Sequence, residues 1–102
     1  MDQIIAAVAA QTGVSVELIL AGGMRAGRNG KLYGDPAYAR QLAMYLAKEA
    51  GGVPMTTLAA AFGLKSHTAI AHAHARMRHE IETDPQLLAL VSRVQQALEH
   101  TL

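Results

Sequence analysis

The chain has no cysteine and no tryptophan, one phenylalanine and three prolines among its 102 residues. Without cysteine there is neither a disulfide nor a thiolate metal site. No apolar run approaches the ~20 residues needed to cross a bilayer. The opening Met1–Asp2–Gln3 lacks the basic flank and cleavage pattern of a secretory signal. The expectation is a soluble intracellular protein with no membrane partner. No glycine-rich phosphate loop is followed by a lysine and a hydroxyl residue, and no nucleophile, histidine and acid stand in a triad-like arrangement. Catalysis and a cofactor are therefore not expected. Five histidines are present, but His67 and His74, like His72 and His79, lie seven residues apart. On a helix that is ~11 Å of rise, too far for one ion without further ligands, so no metal site is expected. For His74 the plain reading is an imidazole at the edge of the core, bonded to backbone.

What the chain has in abundance is alanine, 20 residues, which favours helix and lets helices approach closely. A length of 102 residues suits a single domain with a modest core. The net charge of +1 is unevenly spread. Residues 1–24 carry Asp2 and Glu17 and no lysine or arginine, a balance of −2. Residues 25–78 carry eight basic side chains against Asp35 and Glu49, a balance of +6. Residues 79–102 carry Arg93 against Glu80, Glu82, Asp84 and Glu99, a balance of −3. A basic middle between acidic ends is the distribution expected where one face meets phosphate; charges that only solvate helices are the alternative.

Helical periodicity runs through the sequence, and no convincing strand alternation interrupts it. The spacing predicts an all-α domain of about six helices spanning 1–102. The first covers 2–11, with Ile4, Ile5 and Val8 as its apolar stripe, and ends at Gly13. A short second helix is capped by Ser15 and stopped by Gly22–Gly23. Residues 24–34 form a basic, glycine-rich loop carrying Arg25, Arg28 and Lys31. That loop reads equally as an arm reaching phosphate or the minor groove and as a solvated linker. Asp35–Pro36 starts the longest central helix, running to about Ala50. Pro54 opens a short helix over Met55–Phe62, a longer one runs from His67 to about Thr83, and Asp84–Pro85 launches a last helix to near His100.

The helix–Gly63–helix pattern over about 54–83 reads as a helix-turn-helix. Ser66 can cap the second helix. Lys65, Ser66, His67 and Thr68 stand at its amino end, where unpartnered N–H groups and the helix dipole favour anions. Ile70, Met77 and Ile81, flanked by Ala73 and His74, make the buried side. Thr68, Ala71, His72, Ala75, Arg76 and His79 lie on other sides, and the small residues among them would let the helix enter a groove. Thr68 and the histidines can bond base edges or phosphates, whereas Arg76 and Arg78 suit backbone phosphate. Glu80, Glu82 and Asp84 read as a solvated acidic segment. The same pattern also describes αα-corners that bind no DNA.

Three stretches carry a resemblance. Residues 41–49 (QLAMYLAKE), Ala60–Ala61–Phe62–Gly63 and 65–73 (KSHTAIAHA) are similar to the C-terminal DNA-binding domain of the bacterial replication initiator DnaA, which has a Trp-repressor-like helix-turn-helix. Residues 13–20 (GVSVELIL) fit that domain's early helix pair. The resemblance extends from about Ile4 to His79 and is weaker in the last helix. It implies an all-helical domain binding duplex DNA through the major groove, with a basic loop in the neighbouring minor groove. It further implies that Lys65, His67 and Thr68 contact DNA, that Arg40 matches a basic position at the start of the long helix, and that His72 either touches phosphate or buttresses the turn. The family's nucleotide-hydrolysing module has no counterpart in this sequence.

The expected interface comprises Lys65, Ser66, His67, Thr68, His72, Arg76, Arg40, Arg25, Arg28 and Lys31, with double-stranded DNA as partner. The corresponding expectation is a stand-alone, bacterial, cytoplasmic and nucleoid-associated regulator of replication or transcription. It would act as a monomer or weak homo-oligomer, alongside other replication or regulatory proteins. Four positions depart from the family: Ser66 for an acid, Ala69 for a threonine, Ala75 for a basic residue and Tyr38 for an arginine of the basic loop. Each removes a polar or charged group, so a protein-interaction module that kept the fold but lost the DNA contacts is the competing reading.

Overall fold

The amino-terminal third is built on two short helices. α1 spans Asp2–Thr12 and α2 spans Val16–Ala21. Gly13, at φ 77°, ends α1. Ser15 then accepts the Leu18 amide at 3.2 Å, the side-chain cap expected for α2. The computed structural model describes residues 1–21 and 36–101, leaving aside the side chains of Ala21, His100 and Thr101. Arg25, Arg28 and Lys31, with the rest of the glycine-rich stretch, lie outside the described residues.

The remaining helices are α3 (Pro36–Glu49), α4 (Met55–Ala61), α5 (Thr68–Thr83) and α6 (Pro85–Thr101). Among the described residues every regular element is helical. Gly52, at φ 62°, closes α3: its amide and that of Val53 turn back onto the Lys48 and Ala47 carbonyls. Asp84 accepts the Gln86 amide at 3.0 Å and caps α6 as its position before Pro85 suggests.

α3 is central but not the longest element; its 14 residues are fewer than the 16 of α5 and 17 of α6. Its position is set by its pattern. Ten of its residues are buried, eight of them consecutive from Ala37 to Met44. A helix apolar on all sides has to be surrounded, and α1, α2, α4 and α5 pack around this one. Small side chains at Ala39, Ala43 and Ala47 on α3 and Ala73 on α5 are buried in the shared core. α6 closes the assembly against α1 and α5 through Leu87, Leu90, Val91 and Val94.

Three buried polar residues interrupt this apolar centre: Arg40, Gln41 and Glu80. The two charged ones correct the sequence-based expectations. Glu80 is not solvated. It stands three residues after Met77 on the buried side of α5 and accepts the Tyr38 hydroxyl at 2.9 Å. Tyr38, 1% exposed, is likewise not a lost surface contact but a core side chain joining α3 to α5.

Candidate nucleic-acid interface

Two helices, α4 and α5, and the six residues 62–67 between them shape the candidate interface. α4 ends in a glycine cap. The Gly63 amide reaches the Ala60 carbonyl at 3.2 Å and the Leu64 amide reaches Ala59 at 2.8 Å. With Gly63 at φ 69° and Leu64 packed on the core, this is a Schellman motif with its hydrophobic contact. A methyl added at Gly63 would meet nothing within 4 Å, so the cost of Gly63→Ala comes from the left-handed backbone alone. That cost is about 1–2 kcal/mol, and a urea melt of the variant should show it with an unchanged m-value.

The turn presents Lys65, Ser66, His67 and Thr68 to solvent, and all four are exposed. α5 begins at Thr68, one residue later than the spacing suggests, with His67 as its N-cap. The His67 side chain makes no capping bond. Ser66 Oγ instead accepts the Thr68 amide at 3.4 Å, a weak local tie. The start of a 16-residue helix thus stands among exposed Lys65, His67 and Thr68 side chains, with the Thr68 amide tied to Ser66.

Along α5, Thr68, His72, Ala75, Arg76 and His79 fall within about a third of the helix circumference, and all five are exposed. Thr68 and Arg76 are eight residues apart, or about 12 Å of rise, comparable to the width of a major groove. His72 and Arg76 border a shallow depression of about 230 Å³ with Gln41, Ala69 and Ala73. Arg76 is anchored there: its Nε faces Glu80 at 3.4 Å and its Nη1 donates to Gln41 at 3.2 Å. Gln41 and Glu80 thus orient a half-exposed arginine. A glutamate in an otherwise apolar helical stripe was the one sequence signal of this network.

Arg40 is the main correction. Its side chain is 3% exposed and points inward, where Nη1 donates to the Ile19 carbonyl at 2.9 Å and to that of Leu20. Its Nη2 donates to the Phe62 carbonyl at 2.5 Å. Burial pushes the guanidinium below its ordinary value. A side chain so enclosed has no face left for a phosphate.

His74 also differs from expectation. Its Nε2 bonds the Glu49 carboxylate, not backbone, and its ring lies 5.1 Å from that of Tyr45. The histidine bond holds the Glu49 carboxyl below its usual range. A depressed carboxylate stabilises the fold above its unfolded pKa of ~4.3 and loses that contribution as pH falls through the folded value. The stability gap between the native chain and Glu49→Gln should therefore be open at pH 6 and close as pH falls below ~4.3 through the lowered folded value. Urea melts at a series of pH values measure it, and a gap that widens on acidification rules the account out.

Of the expected interface, the structure thus brings Lys65, Ser66, His67, Thr68, His72 and Arg76 to the turn and outer side of α5. Ser66 and Ala75 are exposed there, and Ala69 is half-buried in the depression. The sequence itself matches the family model described as the bacterial dnaA protein helix-turn-helix, over residues 1–77. The chain belongs to that family. The family is one of DNA-binding helix-turn-helix domains, and α4, the turn and most of α5 fall inside the matched range. The chromosomal replication initiator protein DnaA of Lactobacillus helveticus (strain DPC 4571) is 34% identical over 61 residues, 60% of this chain and 13% of that protein. DnaA of Enterococcus faecalis (strain ATCC 700802 / V583) is 37% identical over 59 residues, 58% of this chain and again 13% of the relative. The chain spans only that small part of the relatives it matches. α6 lies beyond the matched range, where the resemblance to the family was already weak.

Proposed function

We propose that the chain binds double-stranded DNA sequence-specifically, with the amino-terminal turn of α5 in the major groove. The observation that carries this reading is the exposed run Lys65–Ser66–His67–Thr68 at the start of a helix whose other side is packed on the core. Lys65 supplies phosphate neutralisation, His67 and Thr68 face base edges, and His72 and Arg76 continue the contact along α5. Family membership supports the same reading. Acting at initiator-type sites in a bacterial nucleoid, such a domain regulates replication initiation or transcription.

A salt titration of duplex binding tests the proposal. The logarithm of affinity should fall linearly with the logarithm of salt concentration, with a slope set by the number of phosphates neutralised. A slope near zero sinks it. Lys65→Ala should weaken binding to all duplexes alike and reduce the slope by about 1. Thr68→Ala should mainly relax discrimination, by about 1–3 kcal/mol at one base pair. Competition between duplexes drawn from a selected random pool separates the two outcomes. Self-association without DNA, together with no mobility shift at low salt, is the result that favours a protein-interaction module.

A further inference from the structure

We propose that Arg40 is a positioning residue for the DNA-reading turn: from the core it ties the carboxyl ends of α2 and α4 together and so fixes where Lys65, His67 and Thr68 stand. The inference rests on the DNA-binding reading above. Ile19 and Leu20 lie in the last turn of α2, and Phe62 is the C-cap of α4. Carbonyls at helix ends lack intrahelical donors and carry the negative end of the dipole. One guanidinium meets carbonyls from both ends, through Nη1 on one side and Nη2 on the other. Its carbon also lies 5.2 Å from the centre of the Phe62 ring, which restrains the same residue through its side chain.

The geometry needs arginine in particular. A planar fork presents several donors in fixed directions, whereas an ammonium is a single point of charge. Lysine at position 40 keeps the charge but cannot hold two separated helix ends in register. Phe62 is followed at once by Gly63, whose left-handed backbone sends the chain into Leu64 and the exposed turn. The turn's origin is thus set by Arg40, while its far end is set by α5 packing on α3. A basic residue that never meets a phosphate thereby controls where those that do are placed.

The test compares the native chain with Arg40→Lys, Arg40→Met and Lys65→Ala. Each is measured at a temperature where circular dichroism shows it folded. The probes are a duplex selected from a random pool on the native chain and a scrambled duplex of equal length. For Arg40→Lys we expect selected-duplex affinity to fall about tenfold while scrambled-duplex affinity and the salt slope hold, because no phosphate contact is lost. Amide resonances of residues 63–68 should shift in the DNA-free protein. Lys65→Ala should instead lower both affinities and the slope. A slope reduced by about 1 in Arg40→Lys, with both affinities falling alike, would make Arg40 a phosphate contact and overturn the proposal. An unchanged affinity ratio with unmoved amides overturns it too, since a role confined to stability leaves folded variants reading DNA normally. If Arg40→Met does not fold, Arg40→Lys still decides. A native chain that binds neither duplex overturns the DNA reading itself, and the amide shifts then report separately on whether Arg40 holds the turn.

Discussion

Phe62→Ala is expected to lower the free energy of unfolding by about 3–5 kcal/mol, the range for emptying a fully buried aromatic site. Phe62 is 2% exposed and is the chain's only phenylalanine. Its backbone caps α4, its ring lies against the Arg40 guanidinium, and its neighbours include the core of α3 and α5. Removing the ring leaves a void and strips one wall from a buried cation. The lost ring face, worth up to about 2 kcal/mol when the cation is desolvated, places the variant toward the upper end of that range. Domains of this size have total stabilities of about 5–15 kcal/mol, so the variant should sit near the edge of folding at room temperature. A denaturant melt reads this as a large drop in midpoint with an unchanged m-value. Phe62→Leu keeps most of the apolar bulk and should therefore lose less than Phe62→Ala. A loss below about 1 kcal/mol for Phe62→Ala refutes the packing account altogether.

Helix positions were legible in the sequence because their signals are local. Asp84 before Pro85, Ser15 before α2 and Gly63 after α4 each act on backbone within a few residues, and each does in the structure what its chemistry dictates. Of the stripe expected from period alone, Ile70, Ala73 and Met77 are buried, while His74 and Ile81 are half-buried. What escaped was the set of polar side chains whose partners are distant in sequence. Arg40 finds its acceptors 20–22 residues away in both directions, and Tyr38 finds Glu80 42 residues away. No local pattern encodes such pairs. Arg40 entered the expected interface through its match to a basic position of the family, although Ala37, Ala39, Leu42 and Ala43 around it mark a helix buried on every side. Reading Glu80 as solvated overlooked its place in the stripe. The exposed turn was legible for the opposite reason. Its residues are exposed, so no distant partner within the chain had to be guessed.

Glu80→Ala is expected to cost about 2–3 kcal/mol while strengthening duplex binding, and the opposite signs make the prediction informative. The carboxylate is buried and accepts the Tyr38 hydroxyl at 2.9 Å. A hydrogen bond to a charged group contributes about 1.5–3 kcal/mol, and removing an acceptor from the core forfeits it. Its second contact, Arg76 at 3.4 Å, adds little to stability. That pair is spaced i,i+4 and the arginine side chain is 42% exposed, so a few tenths of a kcal/mol is the expected scale. For binding the ranking reverses. Glu80 places a negative charge beside Arg76, and removing it leaves Arg76 held only by Gln41 among its described partners. Affinity at low salt should rise, and the salt slope should steepen by up to about 1. Glu80→Gln isolates the charge, because its amide oxygen can still accept from Tyr38. It should keep most of the stability and show the same gain in affinity. Tyr38→Phe removes the hydroxyl and leaves the charge, so it should lose about 1.5–3 kcal/mol of stability without changing the slope. A double-mutant cycle between positions 38 and 80, read by urea melts, should return a coupling of 0.5–3 kcal/mol. If Glu80→Gln leaves duplex affinity untouched at low salt, Arg76 does not face DNA and the contact surface ends at the turn.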